Sequence, residues 1–228
     1  MALSKRLCVA ADFVRDGVFV VDVGTDHAHL PIELCRCGRV KGVLACDVAE
    51  GPLANAARSI EAAGLKGQIA LRQSDGLLAV QPQEADDVII AGMGGDLIAR
   101  IIAAAPWLRE GGRRLILQPV TSADDLRDRL CEMGYEILTE RAVYDGGRLY
   151  TVMLVAYSGR TATFGRDYRY IGGVDLSTPE GRDYALRQVR RLRRHADSLS
   201  NAGTVHAEQS DLREIADIIE QKVQAHLK

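Results

Sequence analysis

Short apolar runs alternate with helix-like segments over the first two-thirds of this 228-residue chain. Most of the runs end at an acidic residue or a glycine, and the segments that follow are long enough for helices. Strand–helix alternation of this kind implies right-handed crossovers and a parallel sheet whose two faces are covered by helices. The predicted strands are residues 18–23, 42–46, 69–72, 85–91 and 114–118, and the predicted helices are residues 31–37, 51–63, 96–104 and 124–133.

The end of the sheet is predicted to differ, because two strand-like runs, residues 135–144 and 149–157, follow each other directly. Residues 145–147, Asp-Gly-Gly, separate these runs and are typical of a β-hairpin turn. Pro119 is expected to stop the preceding strand, residues 114–118, since proline lacks a backbone N–H group. We therefore predict an α/β fold with a seven-stranded, mostly parallel sheet that ends in an antiparallel hairpin.

The last part of the chain reads as helical. Residues 164–175 resemble an irregular linker, and Thr178 is a good N-cap for a long helix to about Leu199. Residues 201–203, Asn-Ala-Gly, are expected to break this helix. A final helix is predicted from about Glu208, because its apolar residues recur on one helical face. The sequence thus predicts a helical hairpin appended to the sheet.

These patterns divide the chain into a sheet domain, residues 1–159, and a helical extension, residues 160–228. The sheet domain carries a net charge of −4, whereas the extension carries +2. The excess of positive charge arises from six arginines between Arg182 and Arg194, which are opposed by the single acid Asp183. The extension therefore differs from the sheet domain in charge as well as in predicted structure.

Arginines on the first predicted helix of the extension are candidates for contacts with nucleic acid. Arg187, Arg190, Arg191 and Arg194 share one face by their i, i+3, i+4, i+7 spacing, and such a face can contact phosphates. The alternative is a solvated helix face with no ligand. Arg6, near the start of the chain, is a further candidate for RNA binding.

Composition excludes several classes of protein. No apolar run approaches the roughly 20 residues that a transmembrane helix needs. Residues 1–9 include Lys5 and Arg6 but are not followed by a long apolar stretch, so a signal peptide is not expected. We therefore expect a cytoplasmic protein without membrane attachment.

The cysteines predict neither a disulfide framework nor a metal centre. The chain has five, at irregular spacings, and an odd number argues against a set of disulfides. Cys35 and Cys37 form a lone C-x-C pair, whereas structural zinc usually has four ligands in two close pairs. His27 and His29 could complete such a set. We favour reduced cysteines on a helix that packs against the sheet, and we expect no metal.

The loops after the first four predicted strands are the expected binding site, because ligands of open α/β sheets lie beyond the carboxyl ends of the strands. These loops are rich in acids and glycines. The candidate cofactor-binding residues are Asp22, Gly24, Thr25, Asp26 and His27 in the first loop, Asp47 and Val48 in the second, Ser74, Asp75 and Gly76 in the third, and Ala91, Gly92, Met93 and Gly94 in the fourth.

These residue types suit a cofactor that contains a nucleoside. Gly24 permits a tight turn and a close approach of ligand to backbone. Asp47 can accept hydrogen bonds from ribose hydroxyls, and Asp75 can accept one from the exocyclic amine of adenine. Each acid alone could instead be a helix N-cap or a solvated loop end. Asp22, Asp47 and Asp75 each stand at the end of a predicted strand, and together they indicate a binding site.

The charge of the first loop favours S-adenosylmethionine over NAD. A dinucleotide site has the fingerprint G-x-G-x-x-G, but this chain has Asp26 and His29 where the second and third glycines would stand. Asp26 would repel a pyrophosphate and favour a cation. S-adenosylmethionine carries a sulfonium and an ammonium group. A nicotinamide oxidoreductase nevertheless stays an alternative.

Three strings resemble the signature of the bacterial tRNA (adenine(22)-N1)-methyltransferases of the TrmK type. They are Asp22-Val-Gly-Thr-Asp-His-Ala-His-Leu-Pro31, Ile90-Ala-Gly-Met-Gly-Gly95 and Leu115-Ile-Leu-Gln-Pro119. The opening Leu3–Leu7 and the hairpin Asp145–Tyr150 are also similar. The resemblance covers about residues 1–157 and implies a Rossmann-like class I methyltransferase fold. The family also has a coiled-coil-like C-terminal extension, to which the predicted helical hairpin is similar.

The resemblance implies methyl transfer from S-adenosylmethionine to N1 of adenosine 22 in the D-arm region of tRNA, with tRNA as partner. Asp26, His27 and His29 are the catalytic candidates; this chain has His29 where the family usually has tyrosine. Asp26 would either accept a hydrogen bond from the adenine amino group or hold the cationic end of the cofactor. The two histidines would flank the methyl group or the base.

Other functions fit the same residues. A methyltransferase of small molecules or proteins would share the cofactor site but would have no use for the arginine face. A catalytically silent RNA-binding protein would keep the fold without binding the cofactor. The sequence is compatible with a monomer or a weak dimer.

Overall fold

The structure is a computed structural model that describes residues 3–160, 164–201 and 206–227, and a single seven-stranded sheet forms its centre. The strands are β1 (Phe19–Val23), β2 (Gly42–Asp47), β3 (Ile69–Gln73), β4 (Asp87–Gly94), β5 (Arg114–Thr121), β6 (Tyr135–Asp145) and β7 (Arg148–Tyr157). Their order is β3-β2-β1-β4-β5-β7-β6, and β7 runs antiparallel to both β5 and β6. This confirms the predicted parallel sheet with an antiparallel terminal hairpin.

Helices cover both faces of the sheet and also form the end of the chain. Two 3₁₀ helices, Pro82–Glu84 and Pro106–Arg109, lie in loops. The α-helices in the described residues are α1 (Lys5–Phe13), α2 (His29–Arg36), α3 (Glu50–Ala62), α4 (Gly95–Ala103), α5 (Ala123–Glu132), α6 (Tyr168–Ile171), α7 (Pro179–Asn201) and α8 (His206–Ala225). No helix in the described ranges is both long and apolar enough to cross a bilayer.

Two apolar layers enclose the sheet. Val20 and Val43 point to one face, where they are buried among residues of α1, α2 and α3. Val21 and Leu44 point to the other face and are buried under α4 and α5. Successive side chains of a strand alternate between faces. The central strands are therefore mostly apolar on both faces, as expected for a sheet covered on both sides.

The helices α6, α7 and α8 share an apolar cluster of their own. A buried polar network joins them to the sheet: Arg127 of α5 pairs with Glu140 of β6 at 2.6 Å, and both side chains are fully buried. Arg127 also donates hydrogen bonds to the carbonyl oxygen of Arg169 and to the hydroxyl of Tyr184 on α7. The ion pair therefore holds the C-terminal helices against the hairpin.

Strands β4 and β5 are longer than predicted. Both pass the expected ends, Ala91 and Gln118, and their extensions pair with each other: Met93 lies opposite Pro119, and Gly94 lies opposite Thr121. The prediction that Pro119 stops the strand is therefore wrong. The register shifts on both sides of Met93, and proline is tolerated at such irregularities because its missing N–H breaks no regular ladder.

Other differences lie at the ends of the chain. Helix α1 is not predicted, because only Val9 and Ala10 of it are buried and its apolar pattern is weak. The segment predicted as an irregular linker contains the short helix α6. Helix α7 continues to Asn201, which does not break it, and the other two predicted breakers, Ala202 and Gly203, lie outside the described residues.

Candidate functional site

The loops that follow β1, β2 and β3 are tied together at the carboxyl edge of the sheet. The backbone N–H groups of Gly24 and Thr25 donate to the carbonyl oxygen of Cys46 at 2.8 and 3.0 Å. The N–H of Ser74 donates to the carbonyl oxygen of Asp47 at 2.9 Å. The acids and glycines predicted from separate parts of the sequence are thus brought side by side.

Asp22 is the most perturbed acid of this edge. Its side chain is buried within β1, and burial raises the pKa of its carboxyl to about 6. A hydrogen bond from Thr25 lowers this pKa, whereas the nearby negative charge of Asp47 raises it further. A buried carboxylate with a second acid beside it gains from a positive ligand, because a cation relieves both effects. The site therefore favours cations.

Gly24 lets the first and fourth loops approach each other. Its φ angle is +83°, and a Cβ atom at this position would overlap the end of the Met93 side chain. Residues with side chains rarely adopt this conformation. The glycine therefore serves two purposes here: it makes the turn after β1, and it leaves room for Met93 of β4.

The second loop leaves acceptor capacity at Asp47. One oxygen of its carboxylate accepts a hydrogen bond from the N–H of Ala49 at 2.9 Å. A carboxylate can accept about four hydrogen bonds, so further donors can bind it. Val48 is largely exposed, and its carbonyl oxygen accepts from the Gln73 side chain of the adjacent strand. An acid beside an exposed apolar side chain suits a ribose and its base.

The third loop is held in shape by Ser74. Its buried hydroxyl donates to the carbonyl oxygen of Gly76 at 2.9 Å and accepts from the N–H of Ala79 at 3.1 Å. Gly76 lies directly against the side chain of Ile101 on α4, where a Cβ atom would be crowded. Asp75, between them, is exposed. Its carboxylate is therefore available to a ligand at this edge.

The predicted fourth loop, residues 91–94, is the end of strand β4 in the structure, so the fourth loop is a loop by name only. It is fixed by Gln118, a residue absent from the predicted site. Its side-chain oxygen accepts hydrogen bonds from the N–H of Gly92 at 3.1 Å and from Arg6 at 3.3 Å. Its amide nitrogen donates to the carbonyl oxygen of Pro119 at 2.9 Å. Gln118 is fully buried. The available signal in the sequence was a lone amide at the end of an otherwise apolar strand.

Arg6, predicted to bind RNA, contributes to the wall of the site. Its guanidinium pairs with Asp145 of the hairpin at 3.3 Å and lies 5.2 Å from the ring centroid of Tyr150. Together with the bond to Gln118, these contacts place α1 beside the fourth loop. A contact between Arg6 and phosphate stays a prediction.

The three catalytic candidates lie together at the mouth of the first loop. The Asp26 carboxylate is 3.4 Å from the His27 ring, and the rings of His27 and His29 stack with centroids 5.4 Å apart. Ala28 between the histidines has a φ of +53°, an unusual value for a residue with a side chain. Such outliers are often associated with functional sites. The result is a flat, exposed pair of rings beside an acid.

The arginine face of α7 divides into two pairs. Arg187 donates to the carbonyl oxygen of Leu149 at 3.1 Å, and Arg191 pairs with Asp124 at 2.6 Å. These two arginines therefore contact the sheet domain. Arg190 and Arg194 are exposed, and Arg194 donates to the carbonyl oxygen of Arg190. All four arginines are exposed, but Arg187 and Arg191 are engaged with the sheet domain, so Arg190 and Arg194 are the better placed for phosphate contacts.

The metal alternative finds no support in the geometry. Among the residues that the structure describes, no group of three histidine, cysteine or acidic side chains is arranged to hold a metal ion. Cys35 is buried on α2, and the thiol of Cys37 donates to the Glu33 side chain. Burial raises the pKa of the Cys35 thiol, and slight desolvation together with the hydrogen bond and charge of Glu33 raises the pKa of the exposed Cys37 thiol. A raised pKa disfavours the thiolate that binds metal.

The chain is similar to known methyltransferases both in its domain and along nearly its whole length. A model of the methyltransferase domain family matches residues 3–153, which include every strand except the end of β7, so the fold is that of a methyltransferase. The chain is also 32% identical over 233 residues to the tRNA (adenine(22)-N(1))-methyltransferase of Bacillus subtilis (strain 168), covering 96% of this chain and 95% of that one. The chain therefore belongs to the family of the tRNA (adenine(22)-N(1))-methyltransferases, which confirms the resemblance seen in its motifs.

Solved structures are similar over the same length. The Bacillus subtilis m1A22 tRNA methyltransferase TrmK is 30% identical with a TM-score of 0.82, covering 100% of this chain and 99% of that one. Streptococcus pneumoniae Sp1610, in complex with S-adenosyl-L-methionine, is 34% identical with a TM-score of 0.79, covering 97% of this chain and 100% of that one. The likeness thus extends beyond the sheet domain to the C-terminal helices.

Proposed function

We propose that this protein transfers the methyl group of S-adenosylmethionine to N1 of adenosine 22 in tRNA. The observation that carries the proposal is the relationship to the Bacillus subtilis tRNA (adenine(22)-N(1))-methyltransferase along nearly the whole chain. An acidic, glycine-lined site at the strand ends supports it, because its charge suits a cationic methyl donor. Since tRNA is a cytoplasmic molecule, we propose that the protein acts there.

The residues at the strand ends fit S-adenosylmethionine. Asp22 and Asp47 place two acids where a sulfonium or ammonium group gains from negative charge. A Cβ atom at Gly92 would meet no other atom within 4 Å, so the backbone there is open to a ligand. We assign Asp47 to the ribose hydroxyls and Asp75 to the adenine amine. When bound, S-adenosylmethionine supplies an electrophilic methyl group.

The contribution of the chain to the reaction is positioning and charge. N1 of adenine already carries a lone pair, so the protein need not remove a proton before the methyl group is transferred. Holding the two reactants in line lowers the barrier by restricting their motion in advance. The stacked rings of His27 and His29 offer a surface for the target base at the mouth.

Asp26 has two proposed roles. Methylation at N1 makes the adenine positively charged unless its amino group loses a proton, and a carboxylate beside the base stabilises that charge. Alternatively, Asp26 holds the cationic end of the cofactor. Its carboxylate is 65% exposed, which leaves it accessible to either ligand. An Asp26→Asn variant separates the roles, because only the second predicts weaker binding of S-adenosylmethionine without tRNA.

We further propose a division of labour along the chain, with residues 1–159 binding the cofactor and residues 160–228 contributing the RNA-binding extension. The exposed arginines of α7 support this, because they lie on a helix that packs against the sheet domain. Phosphate contacts supply most of the sequence-independent affinity of a protein for nucleic acid. Binding of tRNA is therefore expected to depend strongly on salt.

The decisive experiment is incubation of the protein with unmodified tRNA and labelled S-adenosylmethionine, followed by nucleoside mapping. We expect the label on N1 of adenosine 22. A transcript with guanosine at position 22 is the matched control and should stay unlabelled. Label at another atom or nucleotide, or equal label in both transcripts, would contradict the substrate assignment. Label on a small molecule or protein instead of tRNA would favour another methyltransferase class.

A further inference from the structure

A groove of about 210 Å³ lies between α7 and the sheet domain, outside the cofactor loops. One wall is the end of β5 and the start of α5, and a second is the start of β7. The third wall is the face of α7 that carries Arg187 and Arg191. This volume is smaller than a drug-sized pocket and is enough for a single nucleobase.

The groove adjoins the fourth loop. Pro119 and Thr121 line it, and the same two residues pair in the sheet with Met93 and Gly94. A ligand in the groove would therefore lie beside the paired ends of β4 and β5. Tyr150, whose ring contacts Arg6 at the mouth, also lines the groove. The groove is thus a neighbour of the proposed methyl-transfer site.

The charge of the groove suits a phosphodiester. Arg187, Arg191 and Arg194 line it, whereas Asp124 is its single acid. Asp124 is paired with Arg191, and although burial alone would raise its pKa, the hydrogen bond and charge of Arg191 bring the pKa below its usual value. Two guanidinium groups therefore remain without a carboxylate partner in the groove. Arginine is well suited to bind phosphate oxygens.

Gln188 is the feature that points to a ligand. Its side chain lines the groove and is only 9% exposed. Its amide oxygen is fully buried, and no donor among the described residues lies within hydrogen-bond distance of it. Buried polar atoms without partners are rare in folded proteins and are costly. A primary amide offers an acceptor and two donors, the combination that binds the edges of nucleobases.

The turn into α5 supports the same site. Ser122, which also lines the groove, has a φ of +53°, a conformation that favours glycine. No side-chain hydrogen bond caps the helix that begins after it. Strained backbone of this kind persists where the surrounding structure enforces it and often accompanies binding. The strain at Ser122 supports a binding site whose main indication is the unpartnered amide oxygen of Gln188.

We propose that this groove binds one nucleotide of tRNA next to the methylated adenosine, with the Gln188 amide bonded to its base and Arg187 and Arg194 bonded to its phosphates. The inference rests on the proposed function, since it names a second contact of the same substrate. The groove would fix the position of the RNA strand while the target base enters the mouth. Gln188 is thus a binding residue for tRNA and has no part in binding the cofactor.

The test uses a Gln188→Leu variant of the full chain, which keeps the size of the side chain and removes the amide. Gln221→Leu is the matched control, because Gln221 is exposed on α8, away from the groove. We expect Gln188→Leu to weaken binding of unmodified tRNA at least tenfold in fluorescence anisotropy. Its affinity for S-adenosylmethionine, measured by calorimetry, and its melting temperature should not fall.

A second variant, Arg194→Gln, changes an exposed side chain and keeps the proposal testable if Gln188→Leu fails to fold. It should also weaken tRNA binding, and combining it with Gln188→Leu should give less than the product of the two effects, because both would contact one nucleotide. Wild-type affinity for tRNA in both variants would overturn the groove proposal. Failure of the wild-type protein to bind or methylate tRNA would instead overturn the proposed function.

Discussion

The side-chain oxygen of Gln118 accepts a hydrogen bond from the backbone N–H of Gly92 at 3.1 Å, so a buried residue of β5 orients a peptide of the fourth loop. The same oxygen accepts from Arg6, which connects this loop to α1. Gln118 therefore acts as a positioning residue. It sets the backbone over which the methyl group and the base are expected to meet.

Replacing Gln118 tests this role. Gln118→Leu should lower kcat by roughly 10- to 100-fold, because small displacements of reacting groups are costly in rate. Gln118→Glu keeps an oxygen toward Gly92 and should retain more activity than the leucine variant. Steady-state kinetics with tRNA gives both values. If the two variants lose kcat equally while KM stays constant, the bond to Gly92 is not what matters.

The raised pKa of Asp22 predicts that the free energy of unfolding depends on pH. Its pKa is raised from 3.8 to about 6 in the folded protein, so the folded state binds the proton more tightly than the unfolded state does. The stability that this proton supplies is fully present below about pH 4 and is lost as the pH rises through about 6. Asp22→Asn should therefore stabilise the cofactor-free protein by up to about 3 kcal/mol above pH 6. Urea unfolding at pH 4.5 and pH 8 checks this.

The same variant should bind S-adenosylmethionine poorly, since the amide cannot offer negative charge to a cation. In the wild-type protein, affinity should rise with pH through about 6, as the carboxyl of Asp22 ionises. Calorimetry across this range measures it. A variant that is less stable at pH 8 yet binds the cofactor normally would contradict the assigned role of Asp22.

Gly24 and Gly17 form a matched pair for testing the first loop. Both have positive φ angles, +83° and +69°, so alanine at either position costs about 1–2 kcal/mol in backbone strain. Only at Gly24 would the new Cβ atom meet another group, the Met93 side chain. Gly24→Ala should therefore push the flexible end of Met93 aside at the cofactor loops and lower the affinity for S-adenosylmethionine, whereas Gly17→Ala should lower only stability. If calorimetry gave Gly24→Ala and Gly17→Ala the same affinity for S-adenosylmethionine, the contact between residue 24 and Met93 would not matter for cofactor binding.

The Arg127–Glu140 pair predicts a large and non-additive effect on stability. Removing one partner leaves the other charge buried and unpaired, so Arg127→Met should cost roughly 3–5 kcal/mol. The double variant Arg127→Met with Glu140→Leu should recover much of that loss, because no charge then remains buried. Denaturant unfolding of all variants completes the cycle. Additive losses would mean that the pair does not act as a unit.

The exposed Arg190 predicts a salt-dependent contribution to tRNA binding. Arg190→Glu should weaken binding of tRNA and lower the slope of log affinity against log salt by roughly 1 or more. Arg58→Glu on α3 changes the net charge equally and serves as control. Arg191 is a poorer choice for charge reversal, because it is paired with Asp124. Unchanged affinity in a filter-binding assay would remove Arg190 from the interface.

Patterns local to one segment were enough to predict most of the fold. The apolar runs predicted the central strands, because a strand covered on both faces carries mostly apolar residues. The hairpin strands β6 and β7 were predicted from two strand-like runs on either side of the turn at residues 145–147. The acids and glycines at the strand ends were predicted together, since parallel strands bring their carboxyl ends to one edge. The family resemblance of the first loop also came from contiguous residues, Asp22–Pro31.

Features that depend on distant contacts were not predictable in this way. Pro119 would end an isolated strand, but a register shift around Met93 lets β4 pair with it, and the two strands continue together. Gln118 reads as one polar residue before a proline, and only the fold brings Gly92 and Arg6 to it. The pairing of Arg191 with Asp124 of α5 was likewise not predictable from the sequence. The one predicted face of α7 therefore contains arginines that contact the sheet domain and arginines that do not.

The extended pairing of β4 with β5 has a consequence for how the cleft can move. Residues 91–94 belong to a strand and not to a loop, so displacing them would break their pairing with residues 118–121 of β5. Segments paired in a sheet open less readily than a hinged lid does. The side of the cleft formed by residues 91–94 is thus stiff, and any adjustment to a bulky polynucleotide falls to the exposed turn that carries His27 and His29.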